Sequence, residues 1–192
     1  MHIPEPAQLK LPPIDINDVE VSDGEAEIKW CRVDSAASKD IVRYKIDATD
    51  AWFELVDFSA GRIRSVYRSV FTDCKFQGTQ IEQLVSGVRF KNCVIRDVDF
   101  RWCRIRDVIF EECVIENCNF FEASLRNVKF PKSTFRGLGF DRSKIVNVDM
   151  SGLLSLEVGD PNTLAGCLIN EIHIPAIADR LIANAGILIE KR

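Results

Sequence analysis

Histidine is almost absent: His2 and His173 are the only two in 192 residues, and they stand far apart. No Ser/His/Asp or Cys/His constellation can be assembled from them, which removes the commonest nucleophilic chemistry. No glycine-rich phosphate loop occurs among the ten glycines. No apolar run approaches the ~18 residues of a membrane-spanning helix. The start, "MHIPEPAQLKLPPIDIND", lacks a cationic stretch followed by an apolar one, so no secretory signal is expected. Strong charge of either sign is missing too. The net charge of -4 excludes neither partner class but favours neither nucleic acid nor membrane surfaces. These absences predict a cytoplasmic, non-membrane protein that is not an enzyme and needs neither cofactor nor metal. Its seven cysteines, an odd number, are expected to be reduced thiols.

What is present is a period. Large apolar residues recur every five positions at Phe90, Ile95, Phe100, Ile105, Phe110, Ile115, Phe120, Leu125, Phe130, Phe135, Phe140, Ile145 and Met150. Two before each stands a mostly smaller residue: Val88, Cys93, Val98, Cys103, Val108, Cys113, Cys118, Ala123, Val128, Ser133, Leu138, Ser143 and Val148. A helix would repeat at 3.6 and a simple strand at two. Spacing of two, then three, fits neither. A short fixed period over many copies means stacked units, none of which buries a core alone.

The stretches "FKNCVIRDVDF" and "FEECVIENCNFFEASL" resemble pentapeptide repeat proteins. In that family a central Leu or Phe follows a small residue by two, often with Asp or Asn just before the small one. The resemblance spans roughly residues 46–150. It implies an all-β fold: a right-handed, four-sided parallel β-helix, one repeat per side and about twenty residues per coil. Stacking at ~4.8 Å per coil makes a rod of roughly 25 Å. Earlier copies are weaker, and the count slips twice, between Ile63 and Phe71 and between Ile81 and Phe90.

The expected organisation is an extended arm over 1–24, the β-helix over 25–156 (regular over 71–150), and a C-terminal cap over 157–192. The segment "DSAASKD" reads as a surface excursion. In the cap, Pro175 starts a helix of about 175–185, with Ile177, Leu181 and Ile182 on one face. Ile187 to Ile189 reads as a short strand. Family members often dimerise through this end, so a homodimer is expected there, with Ile177, Leu181, Ile182, Ile187 and Ile189 as the apolar contribution. His173 is expected at the surface.

A twenty-residue coil predicts columns. Phe90, Phe110, Phe130 and Met150 form one, joined by Phe71 if the second slipped coil has one residue fewer. Cys74, Cys93, Cys113 and Ser133 form another and read as small inward apolar residues; a straight column suits neither metal nor disulfide. Outward columns alternate in charge: Arg96, Glu116, Arg136; Lys91, Glu111; Glu122, Arg142. One does not: Arg106 and Arg126 are neighbours, with Arg101, Arg104 and Lys144 near and Trp102 and Phe121 pointing outward beside them. Arg and Trp are favoured interface anchors, so Arg101, Trp102, Arg104, Arg106, Phe121 and Arg126 form the candidate partner-binding or anion-binding face.

Two function classes follow. One is a non-catalytic protein-interaction scaffold of unknown partner. The other comes from the resemblance: some members are acidic rods that mimic DNA, bind type II topoisomerases such as gyrase and protect them from quinolones. Mimicry needs a strongly negative face. Residues 71–150 hold 13 Lys+Arg and 11 Asp+Glu, about +2, whereas residues 1–70 hold 9 and 13, about -4. Direct nucleic-acid binding is disfavoured by the surrounding carboxylates.

Overall fold

The computed structural model describes residues 19–137 and 139–187, with the side chains of Ala37 and Ser38 excepted. The expectations for residues 1–18, Leu138, the strand beyond Ile187 and Ile189 lie outside the described residues. The fold is a β-solenoid. One ladder runs Glu25–Lys29, Lys45–Thr49, Arg62–Tyr67, Gln80–Lys91, Arg104–Glu111, Ser124–Lys129, Lys144–Asp149 and Cys167–Leu168, each strand parallel to the next. A second runs Lys75–Gln77, Val94–Arg96, Val114–Glu116, Thr134–Gly137 and Ser155–Val158. Successive rungs of the regular part are twenty residues apart: Ile105 opposes Leu125, and Ile115 opposes Phe135.

The five-residue period works because each repeat is a short extended piece ended by a corner. The central residue and the one two before it are both buried, as in Cys103 and Ile105 or Val108 and Phe110. Two residues after the centre the backbone turns left-handed: Asp97, Trp102, Asp107, Glu112, Asn117, Glu122 and Asn127 all have φ between 52° and 60°. Asn and Asp tolerate this region well. Trp102, Glu112 and Glu122 adopt it at a cost, which the hydrogen-bonded rungs on either side offset.

Inside, the columns are aromatic. Phe53, Phe71, Phe90, Phe110 and Phe130 stack with centroids 4.8–5.1 Å apart and planes within 8°. Phe71 opposes Phe90 directly, nineteen residues on, so the slipped coil is indeed one residue shorter. Met150 is buried at the end of the series. Both slips are absorbed as irregularities on Arg62–Tyr67 and its neighbours, where the register shifts after Ile46 and after Ile63.

The small inward residues carry a polar role that apolar packing alone does not explain. Ser133 Oγ donates to the Phe110 carbonyl (2.8 Å) and accepts from the Cys113 N–H (2.9 Å), both in the rung below. Thr79 donates to the Phe58 carbonyl at 2.9 Å. The thiols do likewise: Cys74 to Phe53, Cys93 to Phe71, Cys113 to Phe90 and Cys118 to Ile95, with S···O of 3.4–3.5 Å. Cys and Ser therefore suit this column because they are small and can satisfy backbone groups at a buried corner.

The ends depart from the period. Glu20–Ser22 pairs antiparallel with Glu25–Lys29, so a hairpin already begins inside the segment expected as an extended arm over 1–24. The excursion at "DSAASKD" is a helix, Ser35–Ile41, with Asp34 accepting from the Ala36 N–H. At the other end, short 3-10 turns at Pro161–Leu164 and Glu171–His173 lead into the helix Ile174–Asn184, which packs on Ser155–Val158. His173 is not at the surface as expected. It is buried, with Nε2 3.2 Å from the Leu153 carbonyl, because the 3-10 turn capped by Asn170 rotates it under the last full coil. No helix among the described residues is long and apolar enough to cross a membrane.

Candidate binding surface

The arginine and aromatic residues singled out in the sequence fall on two adjacent features, divided at Cys103. The first is a corner ridge. Phe100 and Cys103, like Phe120 and Ala123, or Phe140 and Ser143, are joined by a backbone hydrogen bond of 3.0 Å across a tight turn. Asp99 and Asn119 accept from the N–H two residues on, at Arg101 and Phe121, which fixes the turn. The corner therefore pushes Trp102, Glu122 and Arg142 outward in a stack.

On this ridge the polar groups are engaged. Arg101 binds Asp99 at 2.7 Å and its guanidinium lies 5.1 Å from the Trp102 ring. Trp102 donates Nε1–H to Glu122 at 3.1 Å while the residue stays 61% exposed. Arg142 lies over Phe121, 5.5 Å from its centroid, and 3.9 Å from Glu122. Asp99 is held below the usual carboxylate range; burial opposes the shift, and hydrogen bonds from Arg101 overcome it.

The second feature is the flat side that follows. Arg104 opposes Ser124, Arg106 opposes Arg126, and Ser124 opposes Lys144. One rung back, Arg106 opposes Ser86, and Ser86 opposes Tyr67. Tyr67, Leu84, Ser86, Arg104, Ser124 and Arg126 line a depression of about 470 Å³ together with Ile105 and Arg106. Elsewhere four cations of the rod meet carboxylates one rung away: Arg89 with Glu111, Arg96 with Glu116, Lys132 with Glu112 and Arg136 with Glu157, at 2.7–3.2 Å. Among the described residues, Arg104, Arg106, Arg126 and Lys144 have no carboxylate within 4 Å. Asp107, adjacent in sequence, is turned to the corner and accepts from Asn127 at 2.7 Å.

Sequence reasoning did not find Tyr67 and Ser86. Tyr67 lies between the two slips, where counting by twenty fails; its true offset to Ser86 is nineteen. A larger depression, about 610 Å³ between Arg136, Glu157 and Arg180, has mixed charge.

In the cap helix, Ile177 packs against the core edge, Ile182 is half-buried and Leu181 is exposed. Leu154, Leu168, Ile172, Ile174 and Ile187 are also exposed at this end. Among the described residues no group of three His, Cys, Asp or Glu side chains could hold a metal. Burial pushes the thiols away from reactivity: Cys31 and Cys167 up to about 11, Cys103 and Cys118 up to about 12, and Cys74 and Cys93 further.

A family model described as a pentapeptide repeat region matches residues 85–157. No curated protein matches the chain. Among solved structures, full-length QnrB1, a plasmid-mediated fluoroquinolone resistance protein, is similar at 13% identity and TM-score 0.26, over 81% of this chain and 96% of that one. A trypsin-treated form of QnrB1 gives 14% identity and TM-score 0.28, over 86% of this chain and 80% of that one.

Proposed function

We propose that this protein, whose residues 85–157 form a pentapeptide repeat region, is a non-catalytic interaction scaffold that works in the cytoplasm. One observation carries the reading: Arg104, Arg106, Arg126 and Lys144 cluster on one side of a rigid rod, none of them paired with a carboxylate among the described residues. Rungs hydrogen-bonded on both sides hold these groups at fixed spacing, so a partner meets a pre-organised surface. The Trp102 ridge beside it supplies apolar area of the kind that anchors interfaces.

The topoisomerase reading needs an acidic face in place of phosphates. The rod's carboxylates Glu111, Glu112, Glu116 and Glu157 are instead neutralised by neighbouring cations. The test is affinity capture with the native protein and with an Arg106→Glu/Arg126→Glu variant of unchanged thermal stability. At least one protein should be retained by the native rod and fall tenfold or more on the variant. Identical captured sets would overturn the reading. A gyrase supercoiling assay with a quinolone, run in parallel, is expected to show no change; protection at micromolar protein would instead establish the topoisomerase reading.

Self-association through the C-terminal end belongs to the same proposal, since Leu154, Leu168, Ile172, Ile174 and Ile187 are exposed there. Sedimentation equilibrium should give twice the 21.8 kDa chain mass, reverting to one on Ile174→Asp. A monomer at tens of micromolar would sink it.

A further inference from the structure

We propose that the depression lined by Arg104, Arg106 and Arg126 is an oxyanion site for a phosphoryl group; the inference rests on the binding-scaffold reading and names the chemistry of its ligand. Three features of the side point to an anion and to this class of anion.

The first is that the site is built from donors. Three arginines line it, and a guanidinium can only donate. The Ser86 and Ser124 hydroxyls line the same depression and have no side-chain hydrogen bond to other described residues. No carboxylate lines it. A cluster so rich in donors, with hydroxyls free to turn their hydrogens inward, is matched by an acceptor-rich ligand.

The second is placement. Arg106 and Arg126 oppose each other on adjacent rungs, about 4.8 Å apart along the rod. Like charges directly opposite destabilise a sheet. Arg104 stands two residues along the strand, about 6.6 Å away. The three bases form a triangle that no neighbouring carboxylate neutralises, because Asp107 is turned to the corner and occupied by Asn127. A phosphoryl dianion offers three outer oxygens to such a triangle, whereas one carboxylate accepts a single bidentate arginine.

The third is rigidity and size. The strands Gln80–Lys91, Arg104–Glu111 and Ser124–Lys129 are paired on both edges here, so the arginine bases do not move apart when unliganded. The space, about 470 Å³, exceeds what one water-sized ion fills. It admits a diphosphate or a phosphorylated side chain with its flanking backbone.

The test is calorimetric titration of the full chain at low salt with inorganic pyrophosphate, a phosphoserine heptapeptide, the same peptide unphosphorylated, and a random-sequence DNA duplex. Arg106→Gln/Arg126→Gln is compared with Arg96→Gln/Arg136→Gln, which removes as much charge from paired positions on the other sheet. The expected result is saturable one-to-one binding of pyrophosphate or the phosphopeptide, weakened at least tenfold by the first pair and less than twofold by the second. Tighter binding of the phosphopeptide than of pyrophosphate identifies a phosphorylated protein as the source; the reverse order identifies a free diphosphate compound. Unsaturable binding, equal loss in both double variants, equal binding of the unphosphorylated peptide, or binding of the duplex alone would each overturn the site. If these titrations fail while capture by the native rod still depends on Arg106 and Arg126, the scaffold reading stands and only the phosphoryl assignment falls.

Discussion

Replacing Phe110 by alanine is expected to destabilise the protein by about 3–5 kcal/mol, near the upper range for core truncations. Phe110 is 1% exposed and sandwiched between Phe90 and Phe130, with centroids 4.9 and 5.1 Å away. Removing the ring forfeits its transfer from water and two stacking contacts, each about 0.5–1.5 kcal/mol. It also leaves a hole that the surroundings cannot close. In a helical core neighbouring elements slide inward. Here the wall is the backbone itself, pinned by the pairing of Ile105 and Val108 with the rungs on both sides and of Phe110 with Phe90. The contrast is Phe121→Ala, on the outward ridge, which should cost less than about 1 kcal/mol. Urea unfolding followed by circular dichroism compares the two. Because each coil touches only its neighbours, the Phe110 variant should also show a broader transition as the halves on either side uncouple. A loss below about 2 kcal/mol would mean that the coil relaxes around the gap.

How much of this was legible in the sequence follows from what the period encodes. It encodes direction: Phe110, Ile115 and Cys113 point inward because their spacing leaves no other arrangement, and the β-helix with its Phe71–Phe90–Phe110–Phe130 column follows. It does not encode hydrogen bonds between coils. Ser133 satisfying Cys113 and Phe110 becomes visible only when rung faces rung, so the thiol column read as packing alone. Nor does it encode the phase of an irregular coil, which is why Tyr67 and Ser86 were missing from the arginine side. The patch itself was found as one cluster because Arg101, Trp102, Arg104 and Arg106 fall within six residues. The corner at Trp102 separates them, engaging Arg101 with Asp99 and leaving Arg104 and Arg106 unpaired. His173 was misplaced for a related reason: the 3-10 turn before the cap helix, not the helix's own apolar face, decides where it points.

Raising the pH should unfold this protein well before its arginines discharge. Five buried thiols, Cys31, Cys74, Cys93, Cys103 and Cys118, are pushed above the ordinary value of 9.0 by burial in the rod. In the unfolded chain they ionise near that ordinary value; in the folded chain they stay protonated to about 11 or beyond. Between those limits the folded state binds more protons than the unfolded one, so stability falls as pH rises. It is undiminished below about pH 9 and lost progressively above it. Each thiol contributes at most 1.36 kcal/mol per pH unit, so five together approach about 7 kcal/mol per unit. Two units then reach at most about 14 kcal/mol, within the ~5–15 kcal/mol that stabilises a typical domain. The expected midpoint lies between about pH 10 and 11. Thiolate absorbance should rise in one step with the loss of β circular dichroism, since ionisation needs the coils to open. A Cys93→Ser/Cys118→Ser variant keeps donors in both columns, as Ser133 does at its own rung, and removes two titrating groups. Its midpoint should move upward by several tenths of a pH unit. Thiolate appearing below about pH 9.5 with the dichroism intact would show that the rod interior does not hold its cysteines protonated, and the burial that organises the whole solenoid would have to be looser than its stacked phenylalanines indicate.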